Sequence, residues 1–120
     1  MAKSDPTALA RRWERADVNI AVVCGGRDEA LRDFARKLGA GGMFIETSRP
    51  RPIGSRVELQ FNLPGMAEPV ELAGVVAWVR NVERSLPGGM GIAFEGVGEQ
   101  LRAQIERLVQ AINAAPTASG

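Results

Sequence analysis

Three arginines near the start of the chain have the spacing of a clamp for an anion or a purine base. Arg11, Arg12 and Arg15 stand within five residues that contain one glutamate. A guanidinium presents a fixed fork of donors that matches two phosphate oxygens or the O6 and N7 acceptors of guanine, and its flat face stacks on a purine. A glycine-rich segment, Lys37-Leu38-Gly39-Ala40-Gly41-Gly42, begins 26 residues after Arg11 and is typical of a tight turn into a following strand. The arginines therefore predict a local basic patch.

The arginine segment also fits a structural role. Residues 7–15 read as a short helix in which Leu9 and Trp13 would pack on the core while the arginines would lie in solvent. Trp13 has a ring that could stack on a base, although packing is the commoner role of such a tryptophan. Taken alone, this segment leaves both interpretations open.

Composition argues against several classes of function. The chain has no histidine, no tyrosine and one cysteine, so nucleophile-plus-base arrangements are nearly impossible and we do not expect an enzyme. A metal site would need clustered carboxylates, which the sequence does not show, and no cofactor is indicated. With 15 basic and 14 acidic residues and only six Phe and Trp residues, we expect no binding of DNA or RNA.

The single thiol and the hydropathy pattern predict a cytoplasmic protein. Cys24 lies in an apolar run, where it behaves as a small buried hydrophobe, and one unpaired thiol fits a reducing compartment. The first residues lack the apolar stretch of a signal peptide, and no run approaches 18 apolar residues. We therefore expect no membrane insertion.

Short alternating segments separated by Gly and Pro turns dominate the middle of the chain. Residues 56–63 alternate apolar and polar side chains without a break. Residues 69–82 predict a long strand that points Val70, Val76 and Trp78 to the core, with Gly74 marking a bend or bulge. Further strands are predicted over residues 18–24, 43–47 and 90–94. This spacing favours an antiparallel barrel or a sandwich.

Two other segments have helical periodicity. Residues 97–114 form an amphipathic pattern, with an apolar stripe that must pack on something. Residues 28–38 place Leu31, Phe34 and Leu38 at helical spacing before Gly39, a plausible C-cap, so local pattern alone favours a helix there. Residues 1–10 and 115–120 are expected to be a flexible arm and a flexible tail.

Six segments, taken in order, resemble one known family. They are Arg11-x-x-x-Arg15, Gly41-Gly42-Met43-Phe44-Ile45-x-Thr47, Ile53-Gly54-Ser55-x-Val57-x-Leu59, Leu63-Pro64, Gly74-Val75-Val76-x-Trp78-Val79 and Gly89-Met90-Gly91-Ile92-x-Phe94. Each is weak alone, but together they resemble a PilZ domain, and more narrowly the small single-domain PilZ-like proteins of the myxobacterial type.

The resemblance implies a mainly β fold. PilZ domains are six-stranded antiparallel β-barrels with a C-terminal amphipathic α-helix against one opening, which would place the barrel in residues 11–96 and the helix in residues 97–114. It also favours a strand over a helix for residues 28–38. By resemblance, the chain is a signalling adaptor in cyclic di-GMP-linked control of bacterial motility or surface behaviour. Its protein partner would bind the barrel face or the helix.

The resemblance also implies a ligand site with an altered second half. Arg11 and Arg15 match the family's arginine motif, with Arg12 as a third contact, and Gly42 matches the last glycine of the D/N-x-S-x-x-G motif. Lys37 stands where Asp or Asn is expected. Gly39 stands where Ser is expected. A lysine has no acceptor for the guanine edge and glycine has no hydroxyl, so direct cyclic di-GMP binding is expected to be weak or lost. The alternative is a functional cyclic di-GMP effector that uses Arg11 and Arg15.

Overall fold

The computed structural model describes residues 14–25, 30–82 and 87–114, apart from the side chains of residues 30 and 31. This part of the chain forms six strands and one helix. They are β1 (Arg15–Gly25), β2 (Ala30–Gly39), β3 (Gly42–Glu46), β4 (Arg56–Phe61), β5 (Val70–Arg80), β6 (Gly89–Glu95) and α1 (Glu99–Ala114).

The strands close into an antiparallel barrel in the order β1-β2-β3-β6-β5-β4, with β4 pairing back onto β1. This confirms the six-stranded barrel with a C-terminal helix. Strand β4 shows the reason most simply, because Val57, Leu59 and Phe61 are buried inside the barrel while their neighbours are exposed. Since the side-chain period of a strand is two, each alternating segment supplies one wall of the core.

Residues Ala30–Gly39 form strand β2, which confirms the strand that the resemblance implies for this segment. The helix predicted from local pattern is wrong. The register slips between Ala35 and Lys37, so Arg36 is an extra residue in the ladder to β3. Ala35 and Leu38 are both fully buried, three positions apart, while Phe34 is half exposed. A β-bulge therefore produced the three-residue spacing of apolar side chains that resembles a helix.

A second bulge in β5 corrects the prediction for Trp78. The pairing with β6 slips between Val76 and Trp78, which leaves Ala77 as the extra residue. Val76 is fully buried in the core and Val79 packs against the core, whereas Trp78 is only partly buried and does not belong to it. The bulge thus turns Trp78 and Arg80 to the outside of the barrel.

Helix α1 packs against β1 and β2. It buries Ile105 and Val109 almost completely, and its other apolar residues are partly covered. In its last turn, the side-chain amide of Asn113 donates hydrogen bonds to the carbonyl oxygen of Arg15 at 2.9 Å and to Oε2 of Glu14 at 2.7 Å. The end of the helix is therefore tied to the first residues of β1. Across the described residues, no helix is long and apolar enough to cross a membrane.

Candidate ligand-binding groove

A groove of about 250 Å³ lies on the outer surface of the barrel, and we refer to it below as the outer groove. It is lined by Arg15, Arg36, Lys37, Phe44, Glu46, Trp78, Arg80 and Pro87. Met43 and Ile45 on β3 are buried in the core, so the residues that alternate with them, Phe44 and Glu46, face outward. Four cations, one carboxylate and two aromatic rings make this a surface suited to an anion that carries a flat ring system.

The two aromatic rings lie over a neighbouring strand, β6, whose residues beneath the rings are glycines. The ring centroids of Phe44 and Trp78 are 5.2 Å apart and the ring planes differ by 16°. Both rings extend over β6, where Gly89 and Gly91 alternate with buried Met90 and face outward. A Cβ at Gly91 would collide with the indole, and one at Gly89 would collide with the ring of Phe44. The two glycines therefore make room for the stacked pair.

Arg80 covers the phenyl ring of this pair. Its guanidinium carbon lies 4.6 Å from the centroid of Phe44, and its Nε donates a hydrogen bond to the carbonyl oxygen of Pro87 at 2.9 Å. Phe44 is only 7% exposed although it lies outside the barrel core. An incoming ligand would therefore meet the indole of Trp78 and the guanidinium of Arg80, both of which can stack on a purine.

Arg36 is fixed across three strands. Its Nε donates to Oε1 of Glu46 on β3 at 2.9 Å, and its Nη1 donates to Oδ1 of Asn19 on β1 at 3.0 Å. Glu46 is the carboxylate among the lining residues of the outer groove. The charge-assisted bond fixes the position of that carboxylate as well as that of the arginine.

Lys37 is neutralised by a residue of the neighbouring strand. Lys37 and Asp17 are opposite each other in the β1–β2 ladder, and Nζ of the lysine lies 2.6 Å from Oδ1 of the aspartate. Both side chains are more than half exposed, so the pair adds only about 0–1 kcal/mol to stability. Its importance is local, because the position where the sequence resemblance leads us to expect an acceptor holds a cation that is already paired.

Gly39 lies against the arginine of the first motif. It pairs with Arg15 at the start of β1, and a Cβ at Gly39 would lie 2.9 Å from Cγ of Arg15 and 2.9 Å from the carbonyl oxygen of Glu14. A backbone oxygen at that distance does not yield easily, so a serine here would displace the first residues of β1. Arg15 and Gly39, which come from the two sequence motifs, are thus direct neighbours, and their contact leaves room only for glycine at position 39.

The remaining predicted residues divide into two groups. Arg11 and Arg12 lie outside the described residues, as does Trp13. Gly42 pairs with Gly39 across the turn between β2 and β3, but it does not line the outer groove. A Cβ at Gly42 would collide with the carbonyl oxygen of Ile92, so this glycine permits close packing of β3 on β6.

The outer groove also contains six residues that sequence patterns did not assign to a site: Arg36, Phe44, Glu46, Trp78, Arg80 and Pro87. One signal for them was present. Gly89 and Gly91 are two apart, on the opposite face from Met90, so they leave a bare strip on the outside of β6. A bare outward strip beside Phe44 indicates a place for large rings.

A second group of polar residues, Cys24, Asp33, Thr47 and Arg51, does not line the outer groove. Cys24 and Thr47 are buried, and Asp33 and Arg51 are partly buried. Burial raises the pKa of the Cys24 thiol, and the nearby guanidinium of Arg51 opposes this shift. Burial also raises the pKa of Asp33, opposed by a hydrogen bond from Thr47. Within the described ranges, no group of three or more residues could hold a metal ion.

Comparisons with known proteins agree with the barrel fold. A family model described as PilZ domain matches residues 10–111. The Bacillus subtilis inhibitor of motility (MotI/DgrA) has a TM-score of 0.74 at 17% identity, over 87% of this chain and 52% of that chain. The PilZ domain of Escherichia coli YcgR with c-di-GMP has a TM-score of 0.65 at 17% identity, over 86% of this chain and 91% of that chain.

The PilZ domain of CeSA from a cellulose-synthesizing bacterium has a TM-score of 0.59 at 18% identity, over 82% of this chain and 97% of that chain. The chain thus spans about half the length of the motility inhibitor and nearly all of the two isolated domains. At these identities the likeness is one of fold. No curated protein sequence matches this chain significantly.

Proposed function

Because the chain belongs to the PilZ domain family, we propose that it is a signalling adaptor in cyclic di-GMP-linked bacterial regulation whose own binding of the messenger is weak. Its output would be control of motility or surface behaviour, exerted through a protein partner that binds the barrel face or helix α1. Two of the proteins similar in fold support this direction, since one is an inhibitor of motility and another is a domain with c-di-GMP bound.

The observation that carries the proposal is the pairing of Lys37 with Asp17. Guanine presents N1–H and N2–H₂ donors, which need an acceptor, and the paired ammonium group offers none. Gly39 adds no hydroxyl, and its surroundings resist one. The loss of two polar contacts at about 1–3 kcal/mol each weakens binding by roughly 30- to 20,000-fold.

A second candidate function is favoured by the outer groove itself. Arg15, Arg36 and Arg80 surround a stacked aromatic pair, and this combination suits phosphates together with a purine. The chain would then be a functional cyclic di-GMP effector that uses Arg15, with Arg11 as the other arginine of the motif. The two candidates differ in affinity and in dependence on Arg15.

Isothermal titration of the purified protein with cyclic di-GMP separates them. The variant Arg15→Ala removes a groove arginine, and Arg32→Ala is the matched control because Arg32 is exposed on β2 and does not line the groove. The adaptor proposal expects a dissociation constant in the high micromolar range or weaker. A submicromolar dissociation constant, with binding lost in Arg15→Ala and kept in Arg32→Ala, would instead establish that the chain is a cyclic di-GMP effector.

A further inference from the structure

We infer that Glu46 reads the base edge of a nucleotide bound in the outer groove and gives that groove a preference for guanine over adenine. The inference rests on the proposed function, in which the groove retains a weak nucleotide site. Glu46 lies outside both sequence motifs of the family resemblance, and four features of its surroundings support the assignment.

The first feature is the chemistry of the lining. With Lys37 paired to Asp17, the second motif contributes no side-chain acceptor to the groove. Among the described side chains that line the groove, the carboxylate of Glu46 is the one whose oxygens can accept hydrogen bonds from a base. A guanine that enters the groove would therefore find its acceptor on β3.

The second feature is the state of that carboxylate. Oε1 of Glu46 accepts from Nε of Arg36 at 2.9 Å, and within the described part of the chain Oε2 has no hydrogen-bond donor. Arg36 is itself anchored to Oδ1 of Asn19, so it holds the carboxylate in one orientation. The side chain of Glu46 is 35% exposed, which leaves the second oxygen within reach of a ligand. A positioned carboxylate with one open oxygen is prepared for a hydrogen bond at little entropic cost.

The third feature is its position beside the stacking surface. Glu46 and Phe44 both face outward on β3, two residues and therefore about 7 Å apart. Phe44 carries the guanidinium of Arg80 and adjoins the indole of Trp78. A purine that stacks on the indole and the guanidinium would thus have its edge beside Glu46, while Arg15 remains nearby for phosphates.

The fourth feature is the pattern of donors and acceptors on the bases. Guanine offers adjacent N1–H and N2–H₂ donors, both of which a carboxylate can accept. Adenine offers one N6–H₂ donor next to ring nitrogens that are acceptors, and these repel a carboxylate. A glutamine in the same place supplies one donor and one acceptor, which is the pattern that adenine matches. The carboxylate therefore selects guanine, and its amide counterpart should shift the selection toward adenine.

The test measures two dissociation constants for each of three folded proteins. Cyclic di-GMP and cyclic di-AMP are titrated into the unmodified chain, into Glu46→Gln, and into Glu58→Gln, whose parent carboxylate is exposed on β4 and does not line the groove. The diagnostic quantity is the ratio of the two constants, because Glu46→Gln also frees the charge of Arg36 and changes both affinities together. Circular dichroism verifies that each variant is folded.

The inference expects the unmodified chain to prefer cyclic di-GMP by roughly tenfold or more. Glu46→Gln should abolish or invert that preference, and Glu58→Gln should keep it. An unchanged ratio in Glu46→Gln, equal binding of both ligands by the unmodified chain, or no binding of either would overturn the inference. The last two results would leave the adaptor proposal standing. Submicromolar binding of cyclic di-GMP would overturn the weak-binding proposal, and the ratio would still decide the role of Glu46.

Discussion

Trp78 on β5 and Gly91 on β6 lie opposite each other in the barrel, and the indole occupies the space that a side chain at Gly91 would fill. The indole also stacks on Phe44, whose strand flanks β6 on its other side. One glycine therefore lets aromatic side chains from two non-adjacent strands meet on the outside of the barrel.

Gly91→Ala is expected to destabilise the protein and disturb the outer groove. The added methyl group would collide with the indole of Trp78, and such overpacking costs about 1–3 kcal/mol. Urea denaturation measures the change in the free energy of unfolding. Gly98→Ser is the control, because no atom lies within 4 Å of a Cβ at Gly98 and serine is a good helix N-cap. Equal stability of the two variants would show that the indole moves aside without cost.

Restoring an acceptor at position 37 is expected to need a second change. Lys37→Asp alone would place two carboxylates opposite each other, because Asp17 is its ladder partner. Lys37→Asp combined with Asp17→Asn removes that repulsion and keeps the acceptor. One recovered hydrogen bond of about 1–3 kcal/mol should raise cyclic di-GMP affinity by roughly 5- to 150-fold, measured by titration calorimetry.

The companion change Gly39→Ser is expected to give no gain when added to that pair. Its Cβ would lie 2.9 Å from the carbonyl oxygen of Glu14, so a serine would fit only if the first residues of β1 shifted. If the triple variant binds more tightly than the double variant, the first residues of β1 yield more easily than the contacts indicate.

Much of the fold, but not the position of its bulges, could be predicted from residue patterns. The unbroken alternation over residues 56–63 identified a wall of the barrel, and the apolar stripe of residues 97–114 identified the helix, since both patterns are local. The bulges at Arg36 and Ala77 were not predictable in this way. A bulge depends on how a strand is registered against partners far away in the sequence, and Gly74, the residue that suggested one, is paired in register with Val57 and Phe94.

The candidate site was predictable only in part for the same reason. Arg15, Lys37 and Gly39 were found from motif spacing, and the structure brings all three to the pairing of β1 with β2. The Lys37–Asp17 pair required the register of that ladder. Trp78 and Arg80 reached the outer groove only because the β5 bulge inverts the alternation after Val76.

Asp33 is expected to make stability depend on pH. Burial raises its pKa in the folded protein, so the folded state binds its proton more tightly than the unfolded state does. Its contribution is fully present below the ordinary aspartate pKa of about 3.9 and is lost as the pH rises through the raised value. Asp33→Asn, which keeps an acceptor for Thr47, should therefore stabilise the protein at pH 7 and lose that advantage in acid.

Thermal unfolding across pH 3 to 8 measures this difference. Glu58→Gln is the matched control, because it removes an exposed carboxylate and changes the net charge by the same amount. A gain of equal size at every pH would show that Asp33→Asn stabilises the barrel through packing, and a gain shared with Glu58→Gln would assign it to net charge.

Asn113→Ala is expected to loosen the attachment of Arg15, one of the arginines of the outer groove, to helix α1. Arg15 lines the groove with its side chain while its carbonyl oxygen accepts a hydrogen bond from Asn113 at 2.9 Å. Loss of that bond costs about 0.5–1.5 kcal/mol, but alanine recovers several tenths of this through its higher helix propensity, so global stability should change little.

Local opening of the start of β1 is a better measure of this change than global stability. Hydrogen exchange in peptides covering the start of β1 should become faster in Asn113→Ala and stay unchanged in Gln110→Ala, which alters an exposed residue of the same helical turn. Unchanged exchange in both variants would mean that strand pairing alone fixes Arg15, and that a ligand bound to this arginine has no route to α1 through Asn113.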